Sequence, residues 1–518
     1  MTPANSTLTL GDAPLSIEDL VHIAEDESQV SLSKSSAFKE KIDSSFNFLH
    51  GQLKSGFEIY GVTTGYGDSC TTSIDKELVA ELPLFLTRYH QCGMGKVFSP
   101  TETRAIQTSR LASLLRGKSG VSLGLLEQII SQLNHKITPR IPQEGSVGAS
   151  GDLTPLAYLA ATLVGESQVW YDGQFHETMS VYKKLSINPI KLKPKEGLAV
   201  MNGTAVMTAL ACIAFDKAQY LCKYFSRLTA LTSLAIKGNK SHFAKPLFDA
   251  KPHPGQAQIA HYIREDIKSQ SQNKPKSLSR LQDRYSIRCA PHVIGVLQDS
   301  LPFFRQLIET ELNSANDNPI IDPDSEQILH GGNFYGGHIG FVMDSMKNLV
   351  ANIADLADRQ VALLIDPKFS NGLPANLSGA GKYKNICHGF KALQISISAW
   401  TAEALKNTMP ASVFSRSTEA HNQDKVSMGT ISARDCLRII ELTQQVAAAT
   451  TLISAQALQI RLINKELSES DFSNRVANFK NDIFENFKFL ENDRPLEADL
   501  HKFVSFIDNK KWQLYPDT

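Results

Sequence analysis

Apolar side chains recur at three- and four-residue spacing along most of the chain. The stretches IEDLVHIAEDE from Ile17, ETRAIQTSRLASLLRG from Glu102 and MDSMKNLVANIADLADRQVALLI from Met343 each predict a helix with one apolar face. From Val446, VAAATTLISAQALQI is small or apolar on nearly every face, which suits a helix enclosed by other helices. Alternating strand patterns are few and short, and VWYDGQFHE, with Asp172-Gly173 between strand-like residues, is the best hairpin candidate. The expected fold is therefore mainly α, a long-helix bundle with a smaller mixed N-terminal region. A division near residue 200 separates region 1–200 from the helical region 201–518. The polar stretch QSQNKPKSLSRLQD before Arg284 reads as a loop.

Composition narrows the partners. The chain has 518 residues, 42% of them hydrophobic, enough for a large core. Its 53 basic and 53 acidic side chains cancel, so no global field draws in nucleic acid or an anionic membrane, and a small-molecule partner is expected. The N-terminal MTPANSTLTLGDAPLSIEDL lacks a basic segment followed by an apolar run, which leads to a cytoplasmic expectation. Seven cysteines (Cys70, Cys92, Cys212, Cys222, Cys289, Cys387 and Cys436) show neither disulfide nor zinc-ligand spacing and read as buried thiols; no metal is expected. The most apolar stretch, LAVMNGTAVMTALACIAF from Leu198, is interrupted by Asn202, Gly203 and Thr204, and reads as a core segment of a soluble protein.

The stretch GSVGASGDLTPL, Gly145 to Leu156, carries the candidate chemistry. Its plain reading is a flexible turn into a helix, with Asp152 as the cap and Pro155 in the first turn. A second reading uses the three small residues Ala149, Ser150 and Gly151. If the Gly151 amide nitrogen attacks the Ala149 carbonyl carbon, a five-membered ring closes. Loss of water from that adduct and elimination of the Ser150 hydroxyl leave an imidazolone with an exocyclic methylidene. Such a group is a carbon electrophile, which ordinary side chains do not offer.

With this stretch, the motifs YGVTTGYGD from Tyr60, EGLAVMNGT from Glu196, YSIRCAP from Tyr285, NSANDNPIID from Asn313, HGGNFYG from His330 and STEAHNQDKVSMG from Ser417 form an ordered set. In that order the chain resembles the aromatic amino acid ammonia-lyases and 2,3-aminomutases, from about Leu15 to the DRPLEADL stretch. The resemblance implies a helical fold of the histidine ammonia-lyase type and a homotetramer whose active sites draw on three chains. It also implies the prosthetic group 4-methylidene-imidazol-5-one, formed autocatalytically from Ala149, Ser150 and Gly151, with no metal or diffusible cofactor.

The same resemblance makes Tyr60 the base that removes the substrate's β-proton. An ordinary tyrosine has a pKa of about 10, so positive potential, which helix N-termini can supply, must favour its phenolate. Arg288 would hold the substrate carboxylate, because its planar fork matches two oxygens. Tyr285 would line the site and assist the amine or the elimination, Gln282 would lie on the same face, Asn202 near the imidazolone oxygen or the substrate, and Phe334 as a pocket wall. Glu419, Asn422 and Gln423 would surround the amine and the prosthetic group. Tyr89 and His90 occupy the pair that faces the far end of the substrate ring. A histidine there suits a phenol or an imidazole. Glu403 aligns with a glutamate of histidine-specific members, whereas Phe369 and MPASVFSRSTEAHNQD fit the phenylalanine and tyrosine branches better.

The function expected is non-oxidative deamination of an aromatic L-amino acid to the trans-α,β-unsaturated acid and ammonia, with tyrosine, giving p-coumarate, ahead of histidine, giving urocanate. A tyrosine or phenylalanine 2,3-aminomutase would use the same residues. A non-enzymatic helical scaffold would have no reason to keep Tyr60, the Ala149-Ser150-Gly151 triplet and Arg288 together.

Overall fold

The computed structural model describes residues 7–25, 28–267, 281–379, 381–383 and 385–516. Most of the QSQNKPKSLSRLQD stretch falls outside them. The chain forms two compact units, each discontinuous in sequence. The first comprises 1–216, 304–344 and 410–434; the second comprises 217–303, 345–409 and 435–518. The hydrophobic pattern suggested one division near residue 200. The first crossing falls at Asp216, inside the Ala205–Ala235 helix, and the chain later returns twice to the first unit.

The expected helices form. Ile17–Ala24 starts with a capping box of Ser16 and Asp19, and Pro100–Leu114 with a capping box of Ser99 and Glu102 and proline in its first turn. Pro100–Leu114 departs from an amphipathic helix: from Thr103 to Leu114 every residue is buried. Several of its buried polar side chains bond to remote segments. Arg104 donates to the carbonyls of Ile23 and Leu133, and Gln107 to Gln132 and the Ile137 carbonyl.

Among the described residues all paired strands lie in the first unit. Gln168–Tyr171 and Gln174–Glu177 pair as the expected hairpin, and positive φ at Asp172 (+50°) and Gly173 (+82°) gives the turn the twist that the strands need.

The second unit is helical. Gly429–Ile463 enters it at Asp435, and its segment from Val446 to Leu458 is buried, as its all-round apolarity suggested. Thr450 and Thr451 return their hydroxyls to the carbonyls of Val446 and Ala447, which satisfies both on burial. Ala205–Ala235 and Gly429–Ile463 are long and apolar enough to cross a membrane, but 83% of the most apolar window of each is buried within the protein. All seven cysteines are free. Cys212, Cys222 and Cys436 are buried as expected, whereas Cys289 and Cys387 are half-buried and Cys70 and Cys92 are exposed.

One side chain organises the first unit. Asp152 stands at the N-cap position of the Leu153–Leu163 helix but makes no cap hydrogen bond to it, contrary to the expected role. Its fully buried carboxylate instead accepts from the backbone N–H groups of Val206 and Met207, both at 3.0 Å, in the first turn of Ala205–Ala235. The hydroxyls of Ser146 and Thr430 donate to its other oxygen. One carboxylate thus joins the starts of three helices.

Replacing Asp152 with alanine leaves two helical amides and two hydroxyls buried without an acceptor, each worth about 1 to 3 kcal/mol. Asp152→Ala is expected to lower unfolding stability by at least about 3 kcal/mol, and Asp152→Asn, which keeps one oxygen, by less. Urea unfolding of both variants checks this; a loss for alanine no larger than for a surface substitution would show that other contacts join the helices.

Candidate active site

A cavity of about 540 Å³ opens in the first unit where these helix starts meet the Tyr60 loop. Tyr60, Tyr89, His90, Ala149, Ser150, Asn202, Phe334, Glu419, Asn422 and Gln423 line it. Ten of the side chains expected in the site thus converge, from segments far apart in sequence.

The floor is the Ala149-Ser150-Gly151 turn. Gly151 has φ +69°, and a Cβ there would lie 2.0 Å from the carbonyl oxygen of Gly203. Gly203, at φ +138°, would in turn drive a Cβ into Arg110 and Asn316. Two glycines facing each other therefore allow a backbone approach closed to any other residue. Across it, the Ser150 carbonyl accepts from the Gly203 N–H at 3.2 Å and from the Asn202 side-chain amide at 2.9 Å. The Asn202 Oδ1 is buried without a partner. Gln423 donates to the Ser150 hydroxyl at 3.3 Å, and Ala149 packs on the cluster of Ala411, Val426 and Met428.

The Tyr60 hydroxyl accepts the Gly67 N–H at 2.8 Å. Its pKa is not lowered, as a base at neutral pH would require. Burial raises it above the ordinary value, the Glu419 carboxylate and Cys70 act in the same direction, and the Gly67 amide alone opposes them. Nor does the Ala205–Ala235 helix present a bare positive end, since Asp152 takes up its first amides.

Glu419 bridges two loops, accepting from the Asp68 N–H at 2.7 Å and the Asn422 side chain at 2.8 Å. The turn that carries it is strained: Glu419, Ala420 and His421 all adopt left-handed backbone (φ +52°, +50° and +66°), held by pairing of Thr418 with Gln423.

The Leu82–Tyr89 helix delivers Tyr89 and His90 to the same cavity, with their rings 4.2 Å apart. His90 Nδ1 lies 3.0 Å from the Leu86 carbonyl. A carbonyl only accepts, so Nδ1 carries the proton, and Nε2 of the neutral ring is an acceptor. Burial lowers the pKa of His90, which keeps it neutral.

Gly151 adjoins the cavity in the first unit; Tyr285, Arg288, Gln282 and Glu403 belong to the second unit, and none of them lines this cavity. Tyr285 and Arg288 share a single helical turn, Tyr285–Arg288, with the guanidinium over the tyrosine ring at 4.5 Å, and exposed Gln282 lies just before it. Arg288 donates to the Asp283 carbonyl. Glu403 is paired with Arg438 at 2.7 Å. The cavity also has walls not singled out from sequence: Tyr66, Cys70, His330 and Lys425. Each lies in or beside a quoted motif, so the signal was position within the motif rather than residue type. Among the described residues no group of three or more His, Cys, Asp or Glu side chains could hold a metal ion.

This fold and cavity define a helical enzyme with a backbone-built centre. The chain belongs to the aromatic amino acid lyase family, whose sequence profile matches residues 15–482. It is an enzyme, a carbon–nitrogen lyase. The histidine ammonia-lyase of Bacillus subtilis is 32% identical over 514 residues, covering 98% of each chain. The phenylalanine ammonia-lyase of Nostoc punctiforme is 34% identical over 472 residues, 88% of this chain and 82% of that one. Among solved structures, the tyrosine aminomutase of Streptomyces globisporus superposes with a TM-score of 0.90 at 32% identity, covering 98% of this chain and 97% of that one.

The ring of His90 is expected to be a neutral Nδ1–H tautomer at pH 7, titrating below the ordinary value of about 6.5. Nitrogen-15 NMR of the histidine side chains, assigned with His90→Phe, measures it. An Nε2–H tautomer, or a pKa at or above 7, would contradict the arrangement.

Proposed function

We propose that this chain is an ammonia-lyase that converts L-tyrosine to p-coumarate and ammonia with a 4-methylidene-imidazol-5-one group formed from Ala149, Ser150 and Gly151. The observation that carries the reading is that one cavity is lined by Ser150, Tyr60 and His90 together, and that the His90 ring, with its proton on Nδ1, has an acceptor at Nε2. The triplet fits such a group: Gly151 is in a backbone state and packing that exclude a side chain, and the Ser150 carbonyl already has two donors. The group supplies the carbon electrophile that no unmodified side chain offers.

The chain's own residues do the remaining work. Tyr60 accepts the β-proton as the carbon–carbon double bond forms and the amine departs. Asn202, Glu419, Asn422 and Gln423 line the cavity and surround the substrate's amine and the prosthetic group. Arg288, Tyr285, Gln282 and Glu403 reach the site from neighbouring copies in a homotetramer, where Arg288 binds the carboxylate and neutralises charge near the base. Cytoplasmic location completes the reading.

His90 favours a ring that donates a hydrogen, so tyrosine and histidine both suit it and phenylalanine does not. The many relatives named histidine ammonia-lyase keep histidine, and urocanate as product, as the second reading. Glu403 would suit an imidazole N–H, whereas Phe369 and MPASVFSRSTEAHNQD fit the phenylalanine and tyrosine branches and keep tyrosine ahead. An aminomutase would use the same groups and differ only in returning ammonia to the β-carbon.

Two experiments test this. Wild-type protein should be lighter than its sequence by two waters and Ser150→Ala should not; an unmodified wild-type mass would end the reading. In the same series, Tyr60→Phe should lose at least about 10²-fold in turnover. Because the Tyr60 pKa is raised, wild-type kcat/KM should climb with pH from 7 towards 10, as the phenolate fraction grows. The second experiment is incubation with tyrosine, histidine and phenylalanine, with identification of products. His90→Phe should shift preference from tyrosine towards phenylalanine by one to two powers of ten, the effect of one stranded hydroxyl. An unchanged ratio would remove His90 from the ring end, and a β-amino acid as main product would make the enzyme a mutase.

A further inference from the structure

We propose that Arg110 is a positioning residue for maturation of the prosthetic group, polarising the Ser150 carbonyl through the Asn202–Gly203 peptide. The inference rests on the reading that Ala149, Ser150 and Gly151 cyclise. Arg110 is fully buried on the Pro100–Leu114 helix, and no carboxylate is hydrogen-bonded to it among the described residues. Its Nη1 donates to the Asn202 carbonyl at 2.7 Å, its Nη2 to the Ser113 hydroxyl at 2.6 Å, and its Nε has no partner. The Asn202 carbonyl and the Gly203 N–H belong to one peptide group, and that N–H donates to the Ser150 carbonyl at 3.2 Å. A cation on the oxygen of a peptide makes its N–H a stronger donor, because bonds in series polarise one another. Gly203 is what admits the guanidinium, since a Cβ there would stand 2.2 Å from Nη1.

The chemistry gives this polarisation a task. Cyclisation forms the bond from the Gly151 nitrogen to the Ala149 carbon; the Gly151 amide proton and the Ser150 amide proton leave with the former carbonyl oxygen as the first water, and a double bond forms between the Ala149 carbon and the Ser150 nitrogen. The second water takes the Ser150 Cα proton and the Ser150 hydroxyl, leaving the Cα–Cβ double bond; no oxidant or reductant enters. As the Cα–H bond breaks, its electron pair spreads onto the Ser150 carbonyl oxygen. Donors aimed at that oxygen lower the barrier in the manner of an oxyanion hole. Asn202 supplies one donor through its side chain, and Arg110 strengthens the other.

The test follows maturation rather than turnover. Protein is made in a cell-free system, and loss of two waters is timed by intact mass, with circular dichroism as the folding control. Arg110→Met, of similar length but uncharged, should fold and mature at least tenfold more slowly. Arg110→Lys keeps a charge and one donor and should fall between. Burial already pulls Arg110 down to about 10, with Asp317 and Asp152 opposing that pull and Lys195 adding like-charge repulsion. A lysine there should therefore deprotonate as the pH rises, and its maturation should slow at least tenfold from pH 7 to 9 while the wild type holds its rate. Maturation of Arg110→Met at the wild-type rate would overturn the proposal. So would a lysine variant whose pH profile matches the wild type, and that profile decides if the methionine variant does not fold. A wild-type protein that never loses two waters would refute the prosthetic group itself, a different failure.

Discussion

The Asp152 carboxylate is the constraint on which the rest of the first unit depends. A carboxylate with no access to water is tolerable only when donors surround it, and here they come from two helix-turn amides and two hydroxyls on separate segments. Those segments cannot move apart without stranding the charge. The Ala149-Ser150-Gly151 turn ends at Asp152, so its position relative to Ala205–Ala235 follows from the same bonds. The contact between Gly151 and Gly203 is a consequence: once Asp152 is fixed to Val206 and Met207, the preceding residues of both segments run side by side, joined by bonds from Asp152 N–H to Gly203 and from Gly203 N–H to Ser150.

Much of the fold was legible in the sequence, for reasons that also explain what was not. Helical spacing identified Ile17–Ala24, Gly337–Ile365 and Gly429–Ile463, because each shows a sustained apolar stripe or an all-round apolar surface. Asp172-Gly173 identified its hairpin because the turn type demands positive φ at both positions. Pro100–Leu114 was recognised as a helix, yet its complete burial was hidden. Periodicity reports apolar faces, whereas Arg104, Gln107 and Arg110 are buried through hydrogen bonds to carbonyls remote in sequence. The Asp152 role was misread for the same reason. An aspartate before a helix looks like its cap, and only the tertiary fold reveals which helix it serves.

Ordered motifs brought ten expected side chains to one cavity, but they carry no information on which unit holds each. Tyr285 and Arg288 sit in a motif as specific as the others, and they, Gln282 and Glu403 all belong to the second unit. Sequence order ranks motifs along a chain that crosses between units several times, so closeness in motif pattern is not closeness in space. Tyr66, His330 and Lys425 show the converse, being pocket walls that no single-residue chemistry singled out.

The electrostatics of the site follow from the same arrangement. Helix N-termini are expected to make such a centre positive. In this chain the first amides of Ala205–Ala235 already face a negative charge, so that helix cannot lend its full field to Ser150. Glu419 adds a second carboxylate near Tyr60, and burial raises that phenol. The positive contribution that reaches the Ser150 carbonyl then comes from two specific donors, the Asn202 amide and the Gly203 N–H, the latter backed by the Arg110 guanidinium. Directed donors differ from a helix field in one physical respect: they act only on an atom within hydrogen-bond distance. Donors at Ser150 can therefore polarise its carbonyl while the Tyr60 phenol, remote in sequence but in the same cavity, keeps a raised pKa.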